Sequence, residues 1–388
     1  MINVPLKYVT KVNRYSLTGT TNPDYRFLYC DVSSVERSNL TIPDATLRFA
    51  DAPSRARRIA KSGDIVMSTV RPYLKAVAQV PDSEDSLIFS TGFAVLTPAQ
   101  EKVDSRYLYW VLQSDPFVAE ATRWSNGVSY PAINVDDLMR IKLSLPTLQV
   151  QMRIADFLDT ETAKIDHLIT KQRELMDLLR LRNEAQWHEA FTGFTPVKTL
   201  PLKRLLIKLR RPALEGTGVV TAFRDGEVTL RSNRREEGFT FSEAETGYQG
   251  VAAGDLVFHG LDGFAGAVGI SDSEGQSTPV YHVCRLRDDE DNLRFIAYLL
   301  RYLGHSGFLA TQAPSVRQRA VDYRNWQTFG QIPLSLPDPE EQQRIITELD
   351  GNAVEYLNTK TTTEKAIELL QERRSTLITA AVTGQIEV

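Results

Sequence analysis

Residues 141–146 read Ile-Lys-Leu-Ser-Leu-Pro and residues 332–337 read Ile-Pro-Leu-Ser-Leu-Pro, so nearly the same hexapeptide recurs 191 residues later. The match continues without a gap, and the same offset pairs Gln151 with Gln342, Arg153 with Arg344 and Ile154 with Ile345. Chance does not produce such an ordered match, and a repeat of this length governs the whole fold. The chain therefore contains an internal duplication.

The duplication extends upstream of the hexapeptide. Gly63-Asp64 recurs as Gly254-Asp255 at the same offset, and Pro5-Leu6-Lys7 recurs as Pro201-Leu202-Lys203 at a slightly different one. Each half therefore reads as a globular domain followed by a helical segment. The predicted boundaries are 1–146 for the first domain, 147–193 for the first (central) helical segment, 194–336 for the second domain and 337–388 for the second (C-terminal) helical segment.

Both helical segments carry apolar residues at spacings of three, four or seven, which is typical of a coiled-coil seam. The predicted seam residues are Ile154, Leu158, Ile165, Leu168, Leu175 and Leu179, then Ile345, Leu349, Tyr356, Ala366, Leu370 and Leu377. Turn-forming residues at 159–160 and 350–352 predict a short helix, a break and a long helix in each copy. The long helix should have about 30 residues and end at Gly193 or Gly384.

The segments between are mixed. Residues 64–70, 87–96 and 255–258 have strand character, and residues 105–112 and 293–303 have helical character. We therefore predict an α+β fold class with two tandem domains, each large enough to bury its own core.

The composition is that of a soluble globular protein, with 42% hydrophobic and 24% charged residues in a chain of 388. The two cysteines, Cys30 and Cys284, are too few for a disulfide scaffold or a thiolate metal site. The N-terminal residues lack an apolar signal region, and the longest apolar run, 295–300, is too short to cross a bilayer. We expect a cytoplasmic protein.

The net charge of −4 is unevenly distributed. The first helical segment holds 8 acidic and 6 basic residues, and the second holds 10 acidic and 5 basic residues. The first domain holds 15 acidic and 17 basic residues, and the second holds 16 acidic and 17 basic residues. An overall negative charge therefore does not exclude nucleic acid as a partner of the two domains, because phosphate binding depends on local Lys and Arg.

No catalytic constellation is visible in the sequence. There is no phosphate-binding loop or His-Glu-x-x-His motif, and the five histidines have no metal-ligand spacing. Asn22-Pro23-Asp24-Tyr25 lacks the second proline of a methyltransferase motif, and a plain turn explains it better. Gly263, Gly266 and Gly269 predict a tight hairpin rather than a dinucleotide loop. We expect no catalytic residue and no metal site in this chain.

Four repeated or ordered motifs carry a resemblance to a known family. They are the Leu-Ser-Leu-Pro copies, the Gln-x-Arg-Ile copies, Glu372–Ile378 and Ala381–Gly384. In their order and duplication, over essentially the whole chain, they resemble the DNA-specificity (S) subunit of type I restriction-modification systems.

The resemblance implies two target-recognition domains, each reading half of a gapped, asymmetric site in double-stranded DNA. Two long helices, packed as an antiparallel coiled coil with pseudo-two-fold symmetry, would set the spacer and dock the partners. It implies a non-catalytic chain, partnered by two methyltransferase subunits and, in restricting systems, two motor-nuclease subunits. S-adenosylmethionine, ATP and Mg²⁺ would be bound by those partners and not by this chain.

DNA contacts in such domains are expected from basic, amide and aromatic side chains on loops. The candidates in the first half are Arg55, Arg57, Arg58, Lys61, Arg71, Tyr73, Lys75, Asn126, Ser129, Tyr130 and Asn134. The candidates in the second half are Arg231, Asn233, Arg234, Arg235, His259, Arg317, Gln318, Arg319, Tyr323, Arg324 and Asn325. Residues 55–61 and 231–235 precede the Gly-Asp strand in both halves, which favours a shared role in positioning phosphates. Arg182, Arg373 and Arg374 are the candidate partner contacts.

Two other classes of function remain open at this point. A coiled-coil adaptor with repeated protein-binding domains would show no salt-dependent affinity for DNA. A nuclease or methyltransferase would turn over with a metal or methyl donor from this chain alone, which the missing motifs argue against.

Overall fold

The computed structural model describes residues 2–213, 216–234, 248–312, 316–317 and 320–388. The chain forms two compact units, one of Met1–Glu174 with Thr363–Val388 and the other of Leu175–Thr362. Each is described by itself below. The four segment boundaries proposed from the sequence remain a prediction.

The first unit is mainly β-structure closed by helices. Its strands are β1 Ile2–Pro5, β2 Thr10–Val12, β3 Tyr15–Ser16, β4 Arg26–Cys30, β5 Val35–Glu36, β6 Asn39–Leu40, β7 Leu47–Arg48, β8 Ala56–Ala60, β9 Ile65–Ser68, β10 Val77–Gln79, β11 Leu87–Ser90, β12 Phe93–Pro98 and β13 Lys142–Leu145. Its helices are α1 Ser105–Gln113, α2 Asp115–Arg123, α3 Val135–Leu138 and the first part of α4 Leu148–Thr192.

The second unit also combines strands and helices. Its strands are β14 Lys198–Pro201, β15 Leu206–Lys208, β16 Val220–Ala222, β17 Val228–Leu230, β18 Gln249–Val251, β19 Leu256–His259, β20 Val268–Ile270, β21 Gly275–Ser277, β22 Tyr281–Leu286, β23 Val316–Arg317, β24 Ala320–Val321 and β25 Pro333–Leu336. Its helices are α5 Leu202–Leu205, α6 Leu293–His305, α7 Phe308–Gln312, α8 Trp326–Phe329 and the first part of α9 Pro339–Thr383.

The strand and helix predictions are confirmed. Residues 64–70 contain β9, residues 87–96 contain β11 and most of β12, and residues 255–258 contain most of β19. Residues 105–112 lie in α1 and residues 293–303 in α6. No helix in the described part of the chain is both long and apolar enough to cross a membrane.

The sheet order shows that the duplication includes the domains. The first unit has a four-stranded sheet ordered β10-β9-β12-β2, and the second has β20-β19-β22-β15, which is the same connectivity. The repeated hexapeptide forms β13 and β25, which pair antiparallel with β1 and β14. Its leucines are buried and its serines are less so, because side chains alternate across a strand. The predicted α+β architecture with an internal repeat is confirmed.

Each unit has a core to which both long helices contribute. In the first unit Ile154 and Leu158 of α4 pack in the same apolar cluster as Ile378 and Val382 of α9. In the second unit Phe191, near the end of α4, shares a cluster with residues 345–349 of α9. Within each unit the start of one helix therefore lies beside the end of the other, which confirms the predicted antiparallel packing.

The predicted breaks at 159–160 and 350–352 are wrong, because α4 and α9 are each continuous over 45 residues. Asp159 accepts hydrogen bonds from Trp110 Nε1 at 2.8 Å and from Arg106 at 3.0 Å. Asp350 accepts from Arg294 at 2.7 Å and from Tyr298 at 2.6 Å. These carboxylates bond to α1 and α6 instead of capping a new helix. The predicted ends are confirmed, since the helices stop directly before Gly193 and Gly384.

The predicted leucine seam of α4 is partly wrong. Ile154, Leu158 and Ile165 are buried, but Leu168 is 48% exposed and Leu175 is 38% exposed. Polar residues take buried positions on both helices, namely Thr162 on α4 and Thr363 on α9. Thr162 tolerates burial because its hydroxyl donates to the carbonyl of Leu158 within the same helix. Leucines of α4 therefore face outwards.

A buried glutamine joins the start of each long helix to its domain. Gln342 Oε1 accepts from the N–H of Asn292 at 2.9 Å, and its Nε2 donates to Asp291 at 2.8 Å and to the carbonyl of Pro337 at 3.0 Å. Gln151 bonds in the same way to the N–H of Asp104 and the carbonyl of Pro146. This is the physical reason why the glutamine recurs in both copies.

Replacing Gln342 with methionine should lower the free energy of unfolding by about 2–4 kcal/mol, because it leaves buried partners without a hydrogen bond. Chemical denaturation of the full chain measures the change. Gln343→Met is the matched control, since the neighbouring side chain is exposed and should change stability by less than about 0.5 kcal/mol. Equal losses in the two variants would contradict the role assigned to Gln342.

Candidate nucleic-acid interface

Two loops of the first unit are held together next to β9 and α2. We call residues 69–75 and 124–134 the first recognition site. The N–H of Arg71 donates to the carbonyl of Pro131 at 2.7 Å, and the N–H of Ile133 donates to the carbonyl of Thr69 at 2.9 Å. Residues 126 and 132 exchange two further backbone hydrogen bonds of 2.9 Å. The loops therefore form one backbone-bonded surface.

The side chains of this surface combine one cation with exposed rings. The Arg71 guanidinium lies 4.3 Å from the centre of the Tyr130 ring and donates to the carbonyl of Ser129 at 3.1 Å. Tyr130 is 69% exposed and Tyr73 is 48% exposed, and Trp124 is also exposed. Arginine stacked on an aromatic ring keeps its planar fork ready for a bidentate acceptor. Such a surface can stack on or hydrogen-bond to nucleic-acid groups.

The other candidates in this region differ in whether their side chains are free to contact a ligand. Asn126 and Asn134 are exposed, and Asn134 occupies the N-cap of α3 without a side-chain capping bond. Lys75 is engaged, because its amine pairs with Asp115 and donates to Ser375 at 2.6 Å. We therefore correct the interpretation of Lys75, which anchors the loop to α2 and α9 instead of facing DNA.

The basic residues 55–61 lie on or beside β8, in the sheet ordered β3-β8-β11-β4-β7. Arg55 and Lys61 are exposed, and the Lys61 amine lies 4.4 Å from the Tyr15 ring centre. Arg57 lies over Phe49 at 5.0 Å, and Arg58 donates to Ser16 at 3.3 Å. The pairing of β8 with β11 shifts register between Arg58 and Ala56, so Arg57 lies at an irregularity of the strand.

The second unit places its candidate loops at the same point of the fold. The N–H of Tyr323 donates to the carbonyl of Gly260 at 2.7 Å, as Ile133 does to Thr69. We call residues 260–266 and 323–325 the second recognition site. Arg324 is exposed and pairs with Asp322 at 2.7 Å, and exposed Asn325 caps α8 by accepting from the N–H of Gln327.

One predicted contact in this unit, Tyr323, is wrong, and a second, His259, stays a prediction. Tyr323 is 1% exposed and donates its hydroxyl hydrogen to the carbonyl of Leu309 at 2.6 Å, so it belongs to the core. His259 is half-buried, and its Nδ1 accepts from the N–H groups of Leu261 and Asp262. Burial lowers the pKa of His259, which keeps the ring neutral and suited to closing this turn.

The second basic segment does not match the first in structure. Residues 231–233 form a 3-10 helix after the hairpin of β16 and β17, whereas residues 55–61 contain strand β8. Arg231 lies within hydrogen-bonding range of Thr221, and Asn233 donates to Thr229. Arg234 pairs with Asp225 at 2.7 Å and Glu227 at 3.1 Å. The interpretation of the two segments as corresponding phosphate sites is therefore wrong.

Four candidate DNA-contacting residues have no described side chain. Arg235, Gln318 and Arg319 lie outside the described residues, and Arg317 is described only as part of the backbone of β23.

Comparison with known proteins identifies the domain to which the first recognition site belongs. A family model described as the type I restriction modification DNA specificity domain matches residues 56–176, which contain the whole site. This part of the chain is similar to that specificity domain. The predicted resemblance is confirmed.

Two curated relatives match parts of this chain. The type I restriction enzyme HindI specificity subunit of Haemophilus influenzae is 25% identical over 179 residues, 45% of this chain and 34% of the relative. The MjaVIII specificity subunit of Methanocaldococcus jannaschii is 28% identical over 145 residues, 37% of this chain and 33% of the relative. The chain thus spans about a third of the length of each relative it matches.

Two solved structures share the fold over nearly the whole chain. One, from a study of complex assembly and conformational transition of the type I R-M system, is 22% identical with a TM-score of 0.76 and covers 99% of this chain and 98% of that one. The other, the HsdS subunit from Thermoanaerobacter tengcongensis, is 21% identical with a TM-score of 0.55. It covers 99% of this chain and 97% of that one.

The fold also shows basic residues that the sequence interpretation missed. In the second unit Lys203, Arg204, Lys208, Arg210 and Arg287 line one cleft. A signal was visible in the sequence, because residues 203–211 contain five basic residues.

The candidate partner contacts of the chain separate into two kinds. Arg182 of α4 pairs with Glu355 of α9 at 3.1 Å and stays largely exposed, as does Arg373. The Arg374 side chain is only 15% exposed, pairs with Asp166 at 2.9 Å and lies over the Trp110 ring at 5.5 Å. The interpretation of Arg374 as an exposed partner contact is wrong, since it holds α9 against α4 and α1.

Proposed function

We propose that this chain is the DNA-reading subunit of a type I restriction-modification complex, in which each unit reads one half of a gapped site. The observation that carries the proposal is the duplicated recognition site, built by the same backbone contact in both units. The matched specificity domain containing the first site supports it. Phosphate contacts would fix the register, and exposed polar and aromatic side chains would read the base edges.

The target should be asymmetric, because the two recognition sites differ in chemistry. Arg71 and Tyr73 of the first site follow β9, whereas the loop after β19 begins Gly260-Leu261-Asp262-Gly263. Side chains that differ in charge and in hydrogen-bonding groups discriminate different base edges. The two halves of the site should therefore not be related by two-fold symmetry.

The long helices would dock the partner subunits and set the spacer. Leu168, Leu175, Leu178 and Leu181 of α4 are 38–63% exposed. Exposed leucines repeated along a helix are typical of a protein-binding surface. Two methyltransferase subunits would occupy the helices, with two motor-nuclease subunits in a restricting complex. Those partners would bind S-adenosylmethionine, ATP and Mg²⁺ and carry out adenine methylation and ATP-dependent cleavage, while this chain would remain non-catalytic.

The test is co-purification with a candidate methyltransferase subunit, followed by mapping of N6-methyladenine on DNA exposed to the complex and S-adenosylmethionine. We expect a gapped, asymmetric methylated motif that requires this chain. The control is the methyltransferase subunit alone. If the complex showed neither methylation nor a sequence preference in a direct binding selection, the proposal would be rejected in favour of the adaptor function.

A further inference from the structure

The second unit contains a cleft of about 1130 Å³ beside strand β15. Its lining includes the basic residues Lys203, Arg204, Lys208, Arg210, Arg287 and Arg324. No Asp or Glu among the described residues lines it. The cleft is therefore strongly positive.

The positive charge of this cleft is largely uncompensated. Arg324 pairs with Asp322, but the other five cations have no ion pair with a carboxylate among the residues that the structure describes. Arg211, next along the chain, pairs with Asp255 and does not line the cleft. Burial lowers the pKa of Lys208. Like charges held this close favour an anionic ligand.

The place of the cleft indicates which anion it takes. β15 is the edge strand of its sheet, so its outer side is not covered by another strand of that sheet. Arg324 and Asn325 line the cleft and also belong to the second recognition site. An extended polyanion bound at the recognition site can therefore also contact these cations, which suits a nucleic-acid backbone better than a compact phosphate compound.

The first unit has fewer cations than the cleft at the corresponding positions. Strand pairing aligns β2 with β15 and β12 with β22. In this alignment Arg204 corresponds to Tyr8, Lys208 to Val12 and Arg287 to Ala99. All three residues of the first unit are uncharged. Lys7 and Arg14 match Lys203 and Arg210, and Lys11 takes the place of the cleft residue Ile207. Lys7 and Arg14 lie over tyrosine rings, at 5.1 and 5.2 Å.

We propose that the basic cleft of the second unit clamps the DNA phosphate backbone, so that the second unit supplies more of the salt-dependent affinity than the first. The inference rests on the proposed DNA-reading function and assigns unequal roles to the two units. The first recognition site, with its stacked arginine and exposed rings, contributes more through contacts with bases.

The test compares two triple variants of the full chain that remove the same charge. The cleft variant carries Lys203→Ala, Arg204→Ala and Arg210→Ala. The control variant carries Lys164→Ala, Lys171→Ala and Arg180→Ala, whose cations are exposed and already paired with glutamates on α4. Binding to two 40-base-pair duplexes is titrated at 50–200 mM salt, one with the motif found by methylation mapping and one of arbitrary sequence.

We expect the cleft variant to lose affinity for both duplexes alike and to show a salt slope smaller by about 2.7, because each phosphate contact contributes about 0.9. Across the fourfold salt range, wild type should then lose about 40-fold more affinity than the variant. The control variant and a charge-conserving variant, Lys203→Arg with Arg204→Lys and Arg210→Lys, should keep the wild-type slope.

An unchanged slope in the cleft variant, or a loss confined to the motif duplex, would overturn the clamp. Loss of the slope in the charge-conserving variant would overturn it as well, since charge would not be the cause. The proposed function is judged separately in the same titrations, by whether wild type prefers the motif duplex over the arbitrary one.

Discussion

Arg71→Ala should relax recognition of one half of the target and leave the other half intact. The guanidinium is the one cation that lies on an exposed ring of the first recognition site and also bonds to the loop backbone, at Ser129. Loss of a bidentate base contact removes about 1–3 kcal/mol of discrimination, or roughly 5- to 150-fold. Methylation mapping with the variant complex should therefore show degenerate bases in one half-site only.

Two further variants separate the causes of that effect. Arg71→Lys keeps the charge but loses the planar fork, so it should resemble Arg71→Ala in discrimination while retaining most non-specific affinity. Arg26→Ala removes an exposed arginine elsewhere in the same unit, where it bonds to Thr46, and should leave the motif unchanged. Degeneracy in both half-sites after Arg71→Ala would contradict the assignment of one reader to each unit.

Insertion of one heptad in both long helices should lengthen the spacer of the recognised site. The insertions would follow Glu174 in α4 and Thr362 in α9, where each helix passes from one unit to the other. Seven residues add about 10 Å of helix and turn it by only about 20°, so buried and exposed faces are kept. At 3.4 Å per base pair, the spacer should grow by about three base pairs.

The measurement is again the methylated motif, compared between wild type and the insertion variant. Both half-sites should keep their bases, since neither recognition site is altered. A control insertion of four residues in each helix turns the face by about 40° in the opposite direction and should disturb the seam, which lowers thermal stability. A motif with an unchanged spacer in the heptad variant would contradict the ruler function of the helices.

The duplication could be read from the sequence because it preserves the residues that close each unit. The hexapeptide leucines fill equivalent cores, and the buried glutamines bond to equivalent helix starts. The break in the long helices was predicted wrongly because Asp159 and Asp350 bond to residues about 50 positions away. A local pattern cannot reveal a partner at that distance.

The candidate site was predictable only in part, for a similar reason. Arg71, Tyr73 and Tyr130 could be selected as residue types, and the fold then brings their loops together. Tyr323 and Arg374 have equally suitable side chains, but core packing removes them from the surface. The basic cleft depends on Arg287 of a distant segment and on the lack of acidic partners in the described residues, neither of which a sequence pattern shows.

The core of the first unit has a consequence for the order in which the protein can fold during synthesis. Ile378, Ala381 and Val382, near the C-terminus, complete a cluster whose other residues lie before position 159. At about 5–20 residues per second, the N-terminal unit waits roughly 10–40 s after Glu174 is made before its last helix leaves the ribosome. During that time the apolar side of α4 at Ile154 and Leu158 lacks its α9 cover. A chaperone or an already folded partner subunit can shield it, and truncation of the last ten residues should damage the first unit, not the second.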